Sequence, residues 1–159
     1  PTGPPPDLVA AAIAWLRNQP AIVAAFGDNP NAVPTPIDKF GSDIAPRGTQ
    51  PPYIEFYEPD ESEGYETIDQ TSESSLSRGS LFFDVFGPQQ LGKLGTRQLA
   101  EQVVAVLNDA PLTFLDGVLV YFRRSDRRFP TMRTQGVQAN VVVWKRTIEM
   151  EFLIERYVT

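Results

Sequence analysis

An α+β fold in two layers is what this sequence predicts: a mainly antiparallel sheet of about four or five strands with two main helices packed on one face. Three observations carry the prediction. The C-terminal run Thr147–Val158 alternates strictly, with Ile148, Met150, Phe152 and Ile154 on one side and Thr147, Glu149, Glu151 and Glu155 on the other, which is a strand with one buried and one polar face. The run from Leu91 or Leu94 repeats Leu99, Val103, Val106 and Leu107 at helical spacing until Asn108 and Pro111 stop it, so it buries one stripe. The remaining extended runs follow one another in an order that suits antiparallel pairing more than a repeating strand-helix alternation.

Taken in order, Asp7 is placed to cap a first helix, LVAAAIAWLRN, in which Leu8, Ala12, Trp15 and Leu16 share a face. Pro20 interrupts it, and AIVAAFGD adds a short turn ended by Gly27. Twelve of the fifteen prolines precede residue 60, so residues 28–52 read as an irregular, proline-rich connection. YIEFYE, Tyr53 to Glu58, alternates as a strand, and SLFFDVFG, Ser80 to Gly87, is the next. Between them, residues 59–77 form a long polar connection, either a hairpin arm or a loop. Residues 55–73 hold eight acids, Glu55, Glu58, Asp60, Glu61, Glu63, Glu66, Asp69 and Glu73, and no base. GVLVYFRR, Gly117 to Arg124, is a third strand; ANVVVWK, Ala139 to Lys145, either joins the last strand or stands apart from it. The 159 residues are expected to fold as a single domain, 1–159.

Composition narrows the chemistry. Cysteine and histidine are both absent, which excludes disulfides, thiol nucleophiles, imidazole acid-base catalysis and the usual zinc sites. No apolar run approaches the ~20 residues of a membrane helix, and PTGPPPD lacks the pattern of a secretory signal. A net charge of −6 opposes binding nucleic acid by bulk attraction. Bases are concentrated late: from Gly117 onward there are eight against four acids, with Arg123, Arg124, Arg127, Arg128 and Arg133 close together.

Three groupings invite a chemical reading. FDVFGPQQLGKLG contains GxxxxGK, the outline of a phosphate-binding loop, but Leu94 stands where a magnesium-binding hydroxyl belongs and Pro88 lacks an N–H. Asp84, mid-strand between phenylalanines, and Asp116, before a strand, are carboxylates that could serve hydrolysis or magnesium; Asp84 in such surroundings more simply faces solvent or pairs with an arginine. The acids of 55–73 lack calcium-loop spacing. RRSDRR beside Tyr121 and Phe122 could stack and bind single-stranded nucleic acid. In an acidic protein it also makes a basic edge complementary to the acidic arm of a second copy, a head-to-tail contact able to close a ring; a two-fold dimer is the other possibility.

The leading helix ending LRNQPAIVAAFGD, the proline-rich stretch reaching PPYIEF, then LFFDVFG, a helix ending VVAVLND, GVLVYFRRSD and the last alternating strand together resemble the tail completion proteins, or tail terminators, of siphophages and related gene-transfer particles. The likeness spans nearly the whole chain in order of elements. It implies a non-enzymatic protein of the virion, assembled in the host cytoplasm and located at the head-tail junction. Such proteins form a ring, usually hexameric, that ends tail-tube polymerisation and joins the tail to the head connector. It further implies a tail tube protein and a head connector or stopper protein as partners, DNA passing through the channel without sequence-specific binding, no membrane and no cofactor.

On this reading Tyr53, Tyr57, Phe82, Arg123, Arg124, Arg127 and Arg128 are expected at subunit interfaces, because Tyr53, Phe56, Tyr57, Phe82, Phe83, Phe86, Tyr121 and Phe122 exceed what one sheet face hides beneath two helices. Glu58, Asp60, Glu61, Glu63, Glu66 and Asp69 are expected to face the channel or a neighbour, where acids let DNA slide by repelling its phosphates. Two alternatives stand beside it: a head-completion adaptor or stopper of the neck, and a small nucleotide-binding or hydrolytic enzyme using GPQQLGK.

Overall fold

The computed structural model describes residues 7–27, 39–42, 51–57, 65–70, 74–113, 118–135 and 142–157. Helices α1 (Leu8–Arg17) and α2 (Pro20–Ala25) lead, followed by strands β1 (Phe40–Ser42), β2 (Tyr53–Tyr57), β3 (Tyr65–Gln70) and β4 (Ser74–Pro88). A short 3₁₀ turn, Gln89–Leu91, runs into helix α3 (Gly92–Leu107), and β5 (Pro111–Thr113), β6 (Val118–Arg124), β7 (Met132–Gln135) and β8 (Val142–Tyr157) complete the order.

The eight strands of the described residues belong to one sheet with the path β1-β2-β4-β8-β6-β5, β3 pairing with β4 and β7 with β8 off this path. Every pairing is antiparallel except β1 with β2. The four long runs read from sequence are its frame, and the short strands β1, β5 and β7 lengthen its edges. β4 and β8 pair continuously from Ser74↔Tyr157 to Pro88↔Val143, so the frame is one long two-stranded ribbon. Residues 142–145 are the beginning of the last strand, which settles the alternative left open there. β4 starts six residues ahead of the expected Ser80 because β3 pairs with its first half, Tyr65↔Gly79 to Gln70↔Ser75. Part of the 59–77 connection is therefore a hairpin arm. β4 and β6 both run antiparallel to β8, so the connection that carries α3 is a crossover between parallel strands with β8 inserted between them.

The alternation in β8 sorts as predicted: Ile148, Met150, Phe152 and Ile154 are buried. They meet Ile54, Phe56, Leu81, Phe83, Val85, Val118, Val120 and Phe122 in a single core with the helices. α3 contributes Leu99, Ala100, Val103, Val104 and Leu107, a stripe at i, i+1, i+4, i+5, i+8. α1 presents Leu8, Ala12 and Leu16, its N-terminus capped by Asp7 Oδ1 accepting from Ala10 N at 2.9 Å. Trp15 Nε1 donates to Val106 O at 2.8 Å, tying α1 to α3. A smaller cluster of Tyr53, Phe86 and Val143 occupies the opposite face of the sheet.

Candidate subunit interface

Two features of the pairing decide where charge lies. Along β4, β8 fills one side while β2 and β3 share the other. Along β8, β6 and β7 share the side away from β4. β3, which carries Glu66 and Asp69 in its backbone run, and the β6–β7 segment, which carries the arginines, therefore lie on opposite edges of the sheet. The order β3, β4, β8, β6 sets them three strand spacings apart, roughly 14 Å. Glu58, Asp60, Glu61 and Glu63 fall outside the described residues, as do Asp116 and most of 28–52.

The arginine segment exists because the chain leaves the ladder and rejoins it. Arg124 pairs with Met150 and Ser125 N donates to Glu149 O, whereas Met132 pairs with Lys145. Residues 126–131 thus bridge a gap that three residues of β8 span. Arg146, only 8% exposed, secures this excursion: its guanidinium donates to Phe129 O at 2.6 Å and lies 3.5 Å from Thr131 Oγ1.

The run RRSDRR, contiguous in sequence, is divided in space. Arg127 pairs with Glu149 at 3.6 Å and lies over the Phe129 ring at 5.2 Å. Phe129 meets Phe82 edge-on at 6.1 Å, and Phe82 stacks on Tyr57 at 5.6 Å. Tyr57, Phe82 and Arg127 are consequently joined in one strip on the face away from the helices. Arg124 is on the other side, bonded to Glu101 of α3. Arg123 reaches Asp109, just past the end of α3, at 3.5 Å, and Arg128 donates to the Ser125 and Arg127 carbonyls.

Of the eight aromatics expected to exceed the core, Phe56, Phe83 and Phe122 are buried beneath the helices, and Tyr53 and Phe86 stack at 4.7 Å and are buried on the far face. The chain itself thus covers Tyr53, while Tyr57, Phe82 and Tyr121 remain half-exposed. Sequence reasoning passed over Arg97, Glu101 and Arg146. The i, i+4 spacing of Arg97 and Glu101 was a readable signal; the approach of Arg146 to them across the sheet was not.

Burial raises the Glu101 carboxyl, but the hydrogen bond and charge of Arg124, with the charges of Arg146 and Arg97, outweigh it and hold Glu101 below its usual range. The Arg146 guanidinium is lowered by burial and by the charges of Arg124, Arg97 and Arg128, against the single opposing pull of Glu101.

Asp84 is buried and bonded to hydroxyls, where solvent or an arginine was expected: Thr147 Oγ1 donates to Oδ1 at 2.6 Å and Tyr57 Oη at 3.2 Å. Burial raises its carboxyl despite the Thr147 bond, the Lys145 charge and the Tyr57 bond. The Tyr57 hydroxyl is raised by burial and by the Asp84 charge. Because folding raises the Asp84 value, its contribution to stability is complete below the ordinary 3.8 and is lost as pH rises through the folded value. Asp84→Asn keeps an acceptor for both hydroxyls and removes that loss. Its melting temperature relative to the parent is expected to rise between acid pH and about pH 7; a pH-independent difference in thermal melts would contradict this.

GPQQLGK has a structural use. A Cβ at Gly87 would stand 2.1 Å from Thr96 Oγ1, so Gly87 lets α3 dock on β4. Gly92, with φ +77°, turns the chain into the helix. Lys93 is exposed. Among the described residues no group of three or more acids forms a metal-binding cluster, and no helix is long and apolar enough to cross a membrane.

No family model matches this chain, and no curated protein does. Among solved structures, a chain from the "Virion of native gene transfer agent (GTA) particle" aligns with TM-score 0.58 and 15% identity, over 93% of this chain and 94% of that one. A second solved chain aligns at TM-score 0.49 and 15% identity, over 95% of this chain and 96% of that one. At 15% identity, the first likeness establishes that this chain shares its fold with a chain of that gene transfer agent virion.

Proposed function

We propose that this chain is a structural virion protein, the subunit of a hexameric ring at the head-proximal end of a tail. There it ends tail-tube polymerisation, meets the head connector and leaves a channel for DNA. The observation that carries the reading is the fold shared, over nearly the full length of both chains, with a chain of a gene transfer agent virion. The charge layout supports the ring: acids in β3 on one sheet edge and arginines on the other suit a head-to-tail contact, which closes on itself by rotation.

The interface is assigned to Tyr57 and Phe82, half-exposed on the far face, with Arg123, Arg124, Arg127 and Arg128 on the basic edge. Tyr53 contributes by holding Phe86 in place. Glu58, Asp60, Glu61, Glu63, Glu66 and Asp69 meet the neighbour or line the channel. No bond is made or broken, and Lys93→Ala leaves assembly intact. The second reading, a neck adaptor or stopper, shares the ring and differs in its partner. Incubating the purified protein with tail tubes and, separately, with portal assemblies distinguishes them. Capping of tube ends is expected; binding to portals alone would favour the stopper, and binding to neither would overturn both.

A further inference from the structure

An open cleft of about 710 Å³ runs along the outer side of α3, lined by Leu94, Arg97, Gln98, Glu101, Gln102 and Ala105. We propose that this cleft seats a second copy of the chain, with Arg97, Arg124 and Arg128 receiving carboxylates from that copy's 55–73 segment. The proposal rests on the ring reading and names the groups that would hold its subunits together.

The argument is one of charge balance. Arg124, Arg97 and Arg146 act on the Glu101 carboxylate, and Arg128 acts on Arg146. Arg124 is already bonded to that carboxylate. Arg128 and Arg146 each bond neutral oxygens through one guanidinium nitrogen, which leaves the charge in place, and Arg146 Nε is buried without a partner among the described residues. Arg97 is exposed on the cleft wall. Like charges in one cluster repel, and an added anion relieves the repulsion; planar guanidinium groups take carboxylates with two parallel hydrogen bonds.

The chemistry of the cleft favours protein over nucleic acid. Leu94, 64% exposed, gives the cleft an apolar end, which suits a protein segment more than a phosphate backbone. The complementary group is in the sequence itself, eight acids without a base in 55–73. Its described part, β3, lies across β4 and β8 from the arginines, which favours a neighbour's segment over the chain's own.

The test uses the full chain with Arg97→Lys and Arg128→Lys, which keep the charge and add amines that a carbodiimide couples to touching carboxylates. Isotope-labelled and unlabelled copies are mixed before coupling, and linked peptides are mapped by mass spectrometry. Links from position 97 or 128 to an acid of 55–73 in the other isotopic copy are expected. Links to Glu101 alone, links within one copy, or no link would overturn the seat. Native mass spectrometry of the parent separates the two claims: a monomer removes the ring reading as well, whereas a ring without these links removes the seat only. Arg97→Glu with Arg128→Glu is expected to weaken self-association at least about tenfold while the far-ultraviolet spectrum of the subunit stays unchanged; undiminished association would overturn the proposal.

Discussion

Phe83→Ala is expected to unfold much of the population at temperatures the parent tolerates, while Phe82→Ala, one residue away, is expected to leave the subunit folded and weaken its assembly. Phe83 is fully buried, 5.4 Å from the Phe56 ring and paired with Ile148 beneath the helices. Removing a phenyl ring from such a site costs about 3–5 kcal/mol, because the cavity collapses only in part. In a chain of this size that lowers the melting temperature by roughly 10 °C. Phe82 points to the other face, between Tyr57 and Phe129 and half-exposed. Its truncation removes stacking from the strip assigned to the interface. Thermal melts of dilute protein together with sedimentation at higher concentration separate the two effects; equal loss of stability in both variants would contradict the division of the sheet into a core face and a contact face.

Gly87→Ala is expected to destabilise by about 1–3 kcal/mol, the range for overfilling a packed site. The added carbon would meet Thr96 Oγ1 at 2.1 Å, and Thr96 is fully buried with its hydroxyl donating to Gly92 O at 2.8 Å. The helix cannot stay where it is unless one of the two atoms moves. Thr96→Ala removes the oxygen but leaves the Thr96 Cβ 3.1 Å from the new carbon. The double variant should therefore recover part of the loss, less destabilised than the sum of the single changes. Chemical denaturation of the four proteins measures the coupling. Strict additivity would mean that Gly87 serves something other than this contact, and the GPQQLGK loop would again be open to a ligand.

The elements with their own periodicity were legible. The cap at Asp7, the stripe of α3 and the alternation of the last strand each depend on neighbours a few residues away. The cap and the buried Ile148, Met150, Phe152 and Ile154 appear as read, whereas α3 buries Ala100 and Val104 beside Leu99, Val103 and Leu107 and leaves Val106 half-buried, and Glu149, read as polar-facing, is buried. β5 and β7, of three and four residues, carry too short a pattern to announce themselves; their pairing with β6 and β8 makes them strands. Asp84 read as solvent-facing or arginine-paired because its actual partners, the Tyr57 and Thr147 hydroxyls, come from other strands. The arginine run misled in another way. Adjacent residues of an extended chain point to opposite faces, and the excursion at 126–131 separates them further, so Arg124 and Arg127 do not share a surface. Arg97 and Arg146, distant in sequence, replace Arg127 beside Arg124. Tyr53 counted as surplus aromatic surface only because the pocket formed by Phe86 and Val143 cannot be seen in a linear pattern.

The central claim is that this chain acts by closing on copies of itself. Native mass spectrometry of the purified 159-residue chain tests it most directly. A dominant species at six times the 17.7 kDa subunit mass, dissociating as salt rises because oppositely charged edges meet, is the expected result. A monomer that persists at high concentration and low salt would contradict it.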